Sequence, residues 1–72
     1  MDIYAKHGTK VIFTGDVSQA QINWGGNDDP NGLLEKGKVY TLDYTEVHSY
    51  HTKVFLMEFP SKQFNPVWFE EV

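Results

Sequence analysis

Seventy-two residues carrying ten acids and six lysines, for a net charge of −4, make one small acidic domain, residues 1–72. The chain has no Cys, which excludes disulfide staples and a four-cysteine zinc site, and no Arg, the residue nucleic-acid binders use for bidentate phosphate and base contacts. Its longest apolar runs, Val11–Phe13 and Val54–Met57, are far short of the ~20 residues that span a bilayer, and with no basic or apolar stretch after Met1-Asp2 a secretory leader is not expected.

These features lead to the expectation of a protein that works in a cytoplasm, away from membranes. A domain of this size without staples reaches a stability of about 3–5 kcal/mol. The apolar load therefore falls on eleven aromatics: two Trp, four Tyr and five Phe.

Residues 1–9 read as an N-terminal arm or an extra strand. KVIFT, Lys10 to Thr14, is a first strand, rich in β-branched and aromatic residues. Residues 15–32 then form a long loop. Its GGNDDPNG run is a turn cluster, with Gly for positive φ and Asn/Asp side chains bonding nearby backbone; Gln21–Trp24 is expected to be extended along one arm of it. KVYTLDYTEV, Lys38 to Val47, alternates so that Tyr40, Leu42 and Tyr44 share a buried face. HSYH at 48–51 turns the chain. TKVFLMEF, Thr52 to Phe59, reads as a third strand, apolar on both faces, with Phe55 and Phe59 on the outer one. PSKQ at 60–63 is expected to turn. Asn65-Pro66 fits a single helical turn, since Pro is tolerated at its first position, and Trp68 to Val72 closes as a last strand. No long stretch repeats at helical spacing, so the class is all-β.

The order strand, long loop, strand, turn, strand, tight turn, helical turn, strand resembles the Src-homology-three (SH3) type of small barrel. The expected fold is accordingly an SH3-like five-stranded antiparallel barrel with a long first loop and a 3-10 turn near Pro66. LLEKGKVYTL looks like that family's diverging turn, and FNPVWFEEV like its Pro-containing turn into the last strand. GLLEKGKVYTL, EFPSKQF and FNPVWFE together resemble small phage- and prophage-encoded barrel proteins over about residues 10–72. The peptide-binding members of the wider family carry an Ala-Leu-Tyr-Asp-Tyr motif and paired Trp residues. Here the corresponding stretches are KVIFT and SYHTK, so the resemblance does not extend to polyproline recognition.

Catalytic motifs are missing from the sequence. Ser18, Ser49 and Ser61 stand in no nucleophile motif. The carboxylate pairs Asp28-Asp29 and Glu70-Glu71 are neighbours on extended backbone and point apart. Gly25-Gly26 lacks the strand–GxGxxG–helix setting that holds phosphate. His48 and His51 beside Glu46 could be metal ligands, but on a turn their spacing reads as water-facing imidazoles. Neither a metal nor another cofactor is expected, and the chain is not read as an enzyme.

The remaining signal is aromatic. Trp24, in a Gly/Asn/Asp loop, is a favoured type of interface anchor. The candidate partner-binding residues are Trp24, Asp28, Asp29, Tyr50, Phe55 and Phe59. The resemblance implies a phage-encoded accessory protein that binds and inhibits a bacterial host or defence protein, for example as an anti-CRISPR-type inhibitor. The alternatives are a small barrel binding single-stranded nucleic acid through stacking rings, which the charge disfavours, and a structural subunit of a phage assembly.

Overall fold

Among the described residues, β-branched and aromatic side chains form five strands: β1 (Lys10–Phe13), β2 (Val39–Val47), β3 (Thr52–Leu56), β4 (Phe59–Phe64) and β5 (Phe69–Glu71). One short helix, α1 (Gln19–Asn23), lies in the long loop, and a 3-10 turn spans Pro66–Trp68. The structure, a computed structural model, describes residues 1–24 and 26–72. The strands form one antiparallel sheet in the order β4-β3-β2-β1-β5. The outer strands β4 and β5 do not pair with each other, so hydrogen bonding does not close the sheet into a barrel.

β2 belongs to both halves of that sheet. Its first residues pair with β1, as Val11↔Tyr40 and Ile12↔Val39, and the rest pair with β3 from Leu42↔Leu56 to Val47↔Thr52. The core fills the space enclosed by the two halves: Val11, Phe13, Leu34, Tyr40, Leu42, Val54, Leu56, Phe64, Trp68 and Phe69. Its rings meet at tilted or edge-on angles, Phe64 touching Trp68 at 6.5 Å and Phe69 at 6.3 Å between centroids. Trp68 has no exposed surface, and a fully buried side chain of this kind contributes roughly 1.5–3 kcal/mol.

Four expectations need correction. Gln21–Trp24 is not extended. Ser18 caps α1, its hydroxyl accepting from the Gln21 N–H at 3.2 Å while Gln21 Oε1 accepts from the Ser18 N–H at 3.0 Å. This reciprocal pair satisfies two donors that a helix start leaves open.

The third strand ends at Leu56, not Phe59, and PSKQ is strand rather than turn. The chain reverses at Met57-Glu58, neither of which has positive φ. The reversal is tied to β2: Met57 N–H donates to the Thr41 carbonyl at 2.9 Å, and the Glu58 carboxylate accepts from the Thr41 N–H at 3.0 Å. Such a turn does not match strand twist as primed hairpin turns do, and the β3–β4 register shifts between Val54↔Phe64 and Leu56↔Phe59. Pro60 falls in β4, an edge strand, where a missing N–H is tolerated.

Tyr44 does not share the buried face of Tyr40 and Leu42. The β2–β3 register slips between Leu42↔Leu56 and Tyr44↔Phe55, so β2 carries one extra residue there. A bulge of this kind breaks the period-two alternation and re-aims the side chains beyond it, leaving Tyr44 47% exposed.

The N-terminal segment forms an arm of tight turns rather than a strand. It bonds along β2 through Gly8 N–H to Leu42 O and Leu42 N–H to Thr9 O, both at 2.8 Å. Its start covers β5, the Met1 ammonium donating to Phe69 O at 3.1 Å and Asp2 N–H to Glu71 Oε1 at 3.2 Å. The opposite margin is met by the long loop, where Asp28 N–H donates to Gln63 O and Gln63 N–H to Asp28 Oδ2, each at 2.8 Å. Both sheet margins, a liability in open sheets, therefore have cover from elsewhere in the chain.

Candidate partner-binding edge

The long loop holds its shape because one side chain does several jobs. Gln21 Oε1 completes the cap of α1 and also accepts from the buried Trp68 indole N–H at 2.9 Å. The Gln21 carbonyl accepts from Asn27 Nδ2 at 2.9 Å and from Asn65 Nδ2 at 3.3 Å. Asn65 in turn caps the 3-10 turn, its Oδ1 accepting from Val67 N–H at 3.1 Å. The loop is thus fastened to the segment that leads into β5.

From this anchored base, α1 delivers Trp24 to the turn between β2 and β3. Trp24 N–H closes the helix on Ala20 O at 3.0 Å. The indole Nε1–H donates to the Tyr50 carbonyl at 2.9 Å. That turn is itself closed by His48 N–H to His51 O at 2.8 Å. Trp24 remains 58% exposed and Tyr50 84% exposed. The indole is held by its edge while much of its surface faces water, and a fixed, exposed ring of this kind loses little conformational entropy when a partner covers it.

The other predicted site residues divide. Asp28 is tied to β4, with one oxygen held by the Gln63 N–H, and Gln63 Nε2 donates to Gly26 O at 3.0 Å. Asp29 is exposed, and its Oδ1 accepts from Asn31 N–H at 2.9 Å, an Asx turn ahead of the buried Pro30. Phe55 is on the outer face of β3, stacked on Tyr44 with ring centroids 4.4 Å apart and planes 11° from parallel. Phe59 is not on that strand. It opens β4 and packs inward, 6.1 Å from the Tyr40 ring and 6.3 Å from Phe64. The structure therefore brings the Trp24 indole to the Tyr50 backbone, ties Asp28 to β4 and Asp29 into its own turn, places Phe55 in a separate aromatic pair, and sets Phe59 against the core. Gly25, half of the Gly-Gly pair noted in the sequence, lies outside the described residues.

Beneath the loop lies Lys53, only 6% exposed, the cross-strand partner of Glu46. A Cβ placed on Gly26 would come 4.0 Å from its ammonium nitrogen, which locates Lys53 under the loop rather than on the open surface.

The histidines of the β2–β3 turn are engaged with their own neighbours. The His48 and His51 rings stack at 4.6 Å, and His48 Nε2 is engaged with Glu46 Oε1 at 2.7 Å, so the two imidazoles do not converge their lone pairs on a common point. Among the described residues no group of three or more His, Cys, Asp or Glu is placed to hold a metal. His7 lies apart, bonded through Nδ1 to Asp43. A wide, open depression of about 400 Å³ is bordered by Gly15, Asp16, Val17, Ser18 and Gln21, with a single carboxylate and its hydroxyl already capping α1.

Trp24 could be suspected from its loop context, but its tether could not, because a side-chain bond to a carbonyl 26 residues away has no local signature. The role of Gln21 as cap and anchor is not foreseen by an extended reading of Gln21–Trp24, although Ser18-x-x-Gln21 has the spacing of a capping box. Comparison with family models, with curated proteins and with solved structures finds no match to this chain.

Proposed function

We propose that this chain is a non-enzymatic protein-binding module of SH3-like architecture, a small curled barrel whose partner docks on the edge formed by Trp24 and Tyr50, with Asp28 and Asp29 of the same loop as further contacts. The observation that carries this reading is the Trp24 indole, 58% exposed yet held at a fixed place by its bond to the Tyr50 carbonyl. Large, rigid aromatic side chains of this type dominate the energetics of protein interfaces. The strand order, the long first loop and the 3-10 turn before the last strand are compatible with the SH3-like reading. Following the resemblance to small phage-encoded barrels, the target is a bacterial host or defence protein and the setting a bacterial cytoplasm, the chain acting as an inhibitor by steric cover. That target rests on analogy with phage accessory proteins and not on any residue of the site.

The test is affinity capture from bacterial lysate with the natural chain and the Trp24→Ala and Tyr50→Ala variants side by side, each checked for folding by circular dichroism. A protein recovered by the natural chain and lost by Trp24→Ala supports the reading. Recovery that is equal for all three, or no specific recovery, refutes it. A single-strand nucleic-acid binder would instead show anisotropy changes with short oligonucleotides at low salt, and a structural subunit would self-assemble in light scattering.

A further inference from the structure

Deamidation of an asparagine needs an unengaged carboxamide, a following main-chain N–H free to lose its proton, and room for the two to meet. The chain holds four asparagines, Asn23, Asn27, Asn31 and Asn65, and three of them fail this test. Asn23 Oδ1 accepts from Gln19 Nε2 at 3.0 Å, and the next N–H, that of Trp24, is bonded to Ala20 O at 3.0 Å. Asn27 Nδ2 donates to Gln21 O and Trp24 O, and the Asp28 N–H that follows donates to Gln63 O at 2.8 Å. Asn65 is 8% exposed and precedes Pro66, which has no N–H.

Asn31 passes. It and Gly32 are both exposed, in a turn closed by Leu33 N–H and Leu34 N–H on Pro30 O at 3.0 and 2.9 Å. Gly32, with φ +86°, takes the third place of that turn, where a type II turn needs Gly, and its N–H has no part in the closing bonds. Among the described residues no hydrogen bond engages the Gly32 N–H or the Asn31 carboxamide; only the Asn31 main-chain N–H is used, by Asp29 Oδ1. Gly32 carries no side chain to shield its nitrogen, and nothing lies within 4 Å of where a Cβ would stand.

We propose that Asn31 is a site of spontaneous deamidation in the native fold, and that the isoaspartate it yields loosens the turn that carries Leu34 into the core. Hydroxide from solvent removes the Gly32 amide proton, and the nitrogen attacks Asn31 Cγ. The Cγ–Nδ2 bond breaks, and Nδ2 leaves as ammonia after taking a proton from water, which restores the hydroxide. A second water opens the cyclic imide at either carbonyl, leaving the carboxylate of Asp or of a β-linked isoaspartate. Nothing is oxidised or reduced. The β-linked product routes the main chain through Cβ and lengthens it between Pro30 and Leu33. The two N–H bonds on Pro30 O then lose their register, and with them the hold on Leu34, which is 7% exposed. The docking edge at Trp24 plays no part in this chemistry.

The natural chain is incubated at mildly alkaline pH and sampled by mass spectrometry after cleavage at Lys, which delivers Asn23, Asn27 and Asn31 in one peptide, residues 11–36. Fragmentation should place the amide-to-acid change at Asn31 first, with isoaspartate the larger share, and the rate should rise with pH. Gly32→Ala should slow it by roughly tenfold or more, because the added methyl crowds the attacking nitrogen. If strain at positive φ keeps that variant from folding, Asn31→Gln serves instead: its longer side chain must close a larger ring, and the peptide should stay unchanged over the same interval. Earlier conversion of Asn23 or Asn27 overturns the site, as does an Asn31 that stays intact in the native chain while the same chain in urea converts. So does a folded Gly32→Ala that converts as fast as the natural chain, or an Asn31→Gln peptide that acidifies at the natural rate. For the consequence, the isoaspartyl fraction, separated chromatographically, should melt below Asn31→Asp, which carries the same charge on an unaltered main chain. Equal melting temperatures overturn that half of the proposal.

Discussion

Replacing Gln21 tests whether one amide holds the long loop to the body of the domain. In Gln21→Met the side chain keeps its approximate bulk but loses the oxygen that accepts from both Ser18 N–H and Trp68 Nε1–H. The Trp68 ring has no exposed surface, so its indole N–H would be left in the interior without an acceptor, a loss of about 1–3 kcal/mol. Loss of half the capping box adds a few tenths, since it lies at the surface. The sum is about 2 kcal/mol, roughly half of the ~3–5 kcal/mol available to a domain this small. At 4–8 °C per kcal/mol for chains of this size, the melting temperature should fall by roughly 10–15 °C. Urea unfolding followed by Trp emission gives the free energy directly. A double-mutant cycle with Trp68→Phe isolates the shared bond and should return a coupling of about 1 kcal/mol. If Gln21→Met lies within about 0.5 kcal/mol of the natural chain, the scale of an ordinary surface substitution, the loop does not depend on this residue and the account of its rigidity is wrong.

The two tryptophans should separate cleanly in thermal melts. Trp68→Ala should cost ~3–5 kcal/mol and leave little folded protein, whereas Trp24→Ala, which forfeits one surface bond, should shift stability by less than about 1 kcal/mol. Asn65→Ala removes the cap of the 3-10 turn and a donor to Gln21 O, and should lower the unfolding free energy by about 1–2 kcal/mol in urea titrations. Glu58→Ala frees the Thr41 N–H; because that site is exposed, the loss should be about 1 kcal/mol or less, and amide exchange at Thr41 should accelerate. Gly15→Ala should be worse than Gly32→Ala. Both have positive φ, but a Cβ at Gly15 would lie 2.9 Å from Lys36 Cγ and Cδ, while at Gly32 nothing lies within 4 Å. Melting temperatures of the two variants should differ in that order.

The β class, the positions of β1 and β2 and the turn at Pro66 were legible because short-range patterns determine them: β-branched runs, alternation, and a Pro preceded by Asn. What resisted was anything settled between distant segments. The bulge that turns Tyr44 onto Phe55 depends on how β2 pairs with β3, and alternation alone predicts the opposite face. The reversal at Met57-Glu58 has no Gly or Asn to mark it, because Thr41 on another strand holds it. Phe59 packs inward rather than outward for the same reason: it opens β4, a strand the sequence does not separate from β3. At the candidate site, Trp24 and Tyr50 were each visible as exposed aromatics in polar turns. Their meeting through an indole N–H and a carbonyl was not, nor was the burial of Lys53 under the loop.

Because the margin of β5 is occupied by the first residues of the chain, and that of β4 by Asp28 with Pro60 offering no N–H of its own, a ligand has little free main chain to zip onto. At those positions recognition runs through side chains, reading the contour and chemistry of a folded surface or a protruding residue. A partner presenting an extended backbone at Phe69 or Gln63 would meet groups the chain has already engaged.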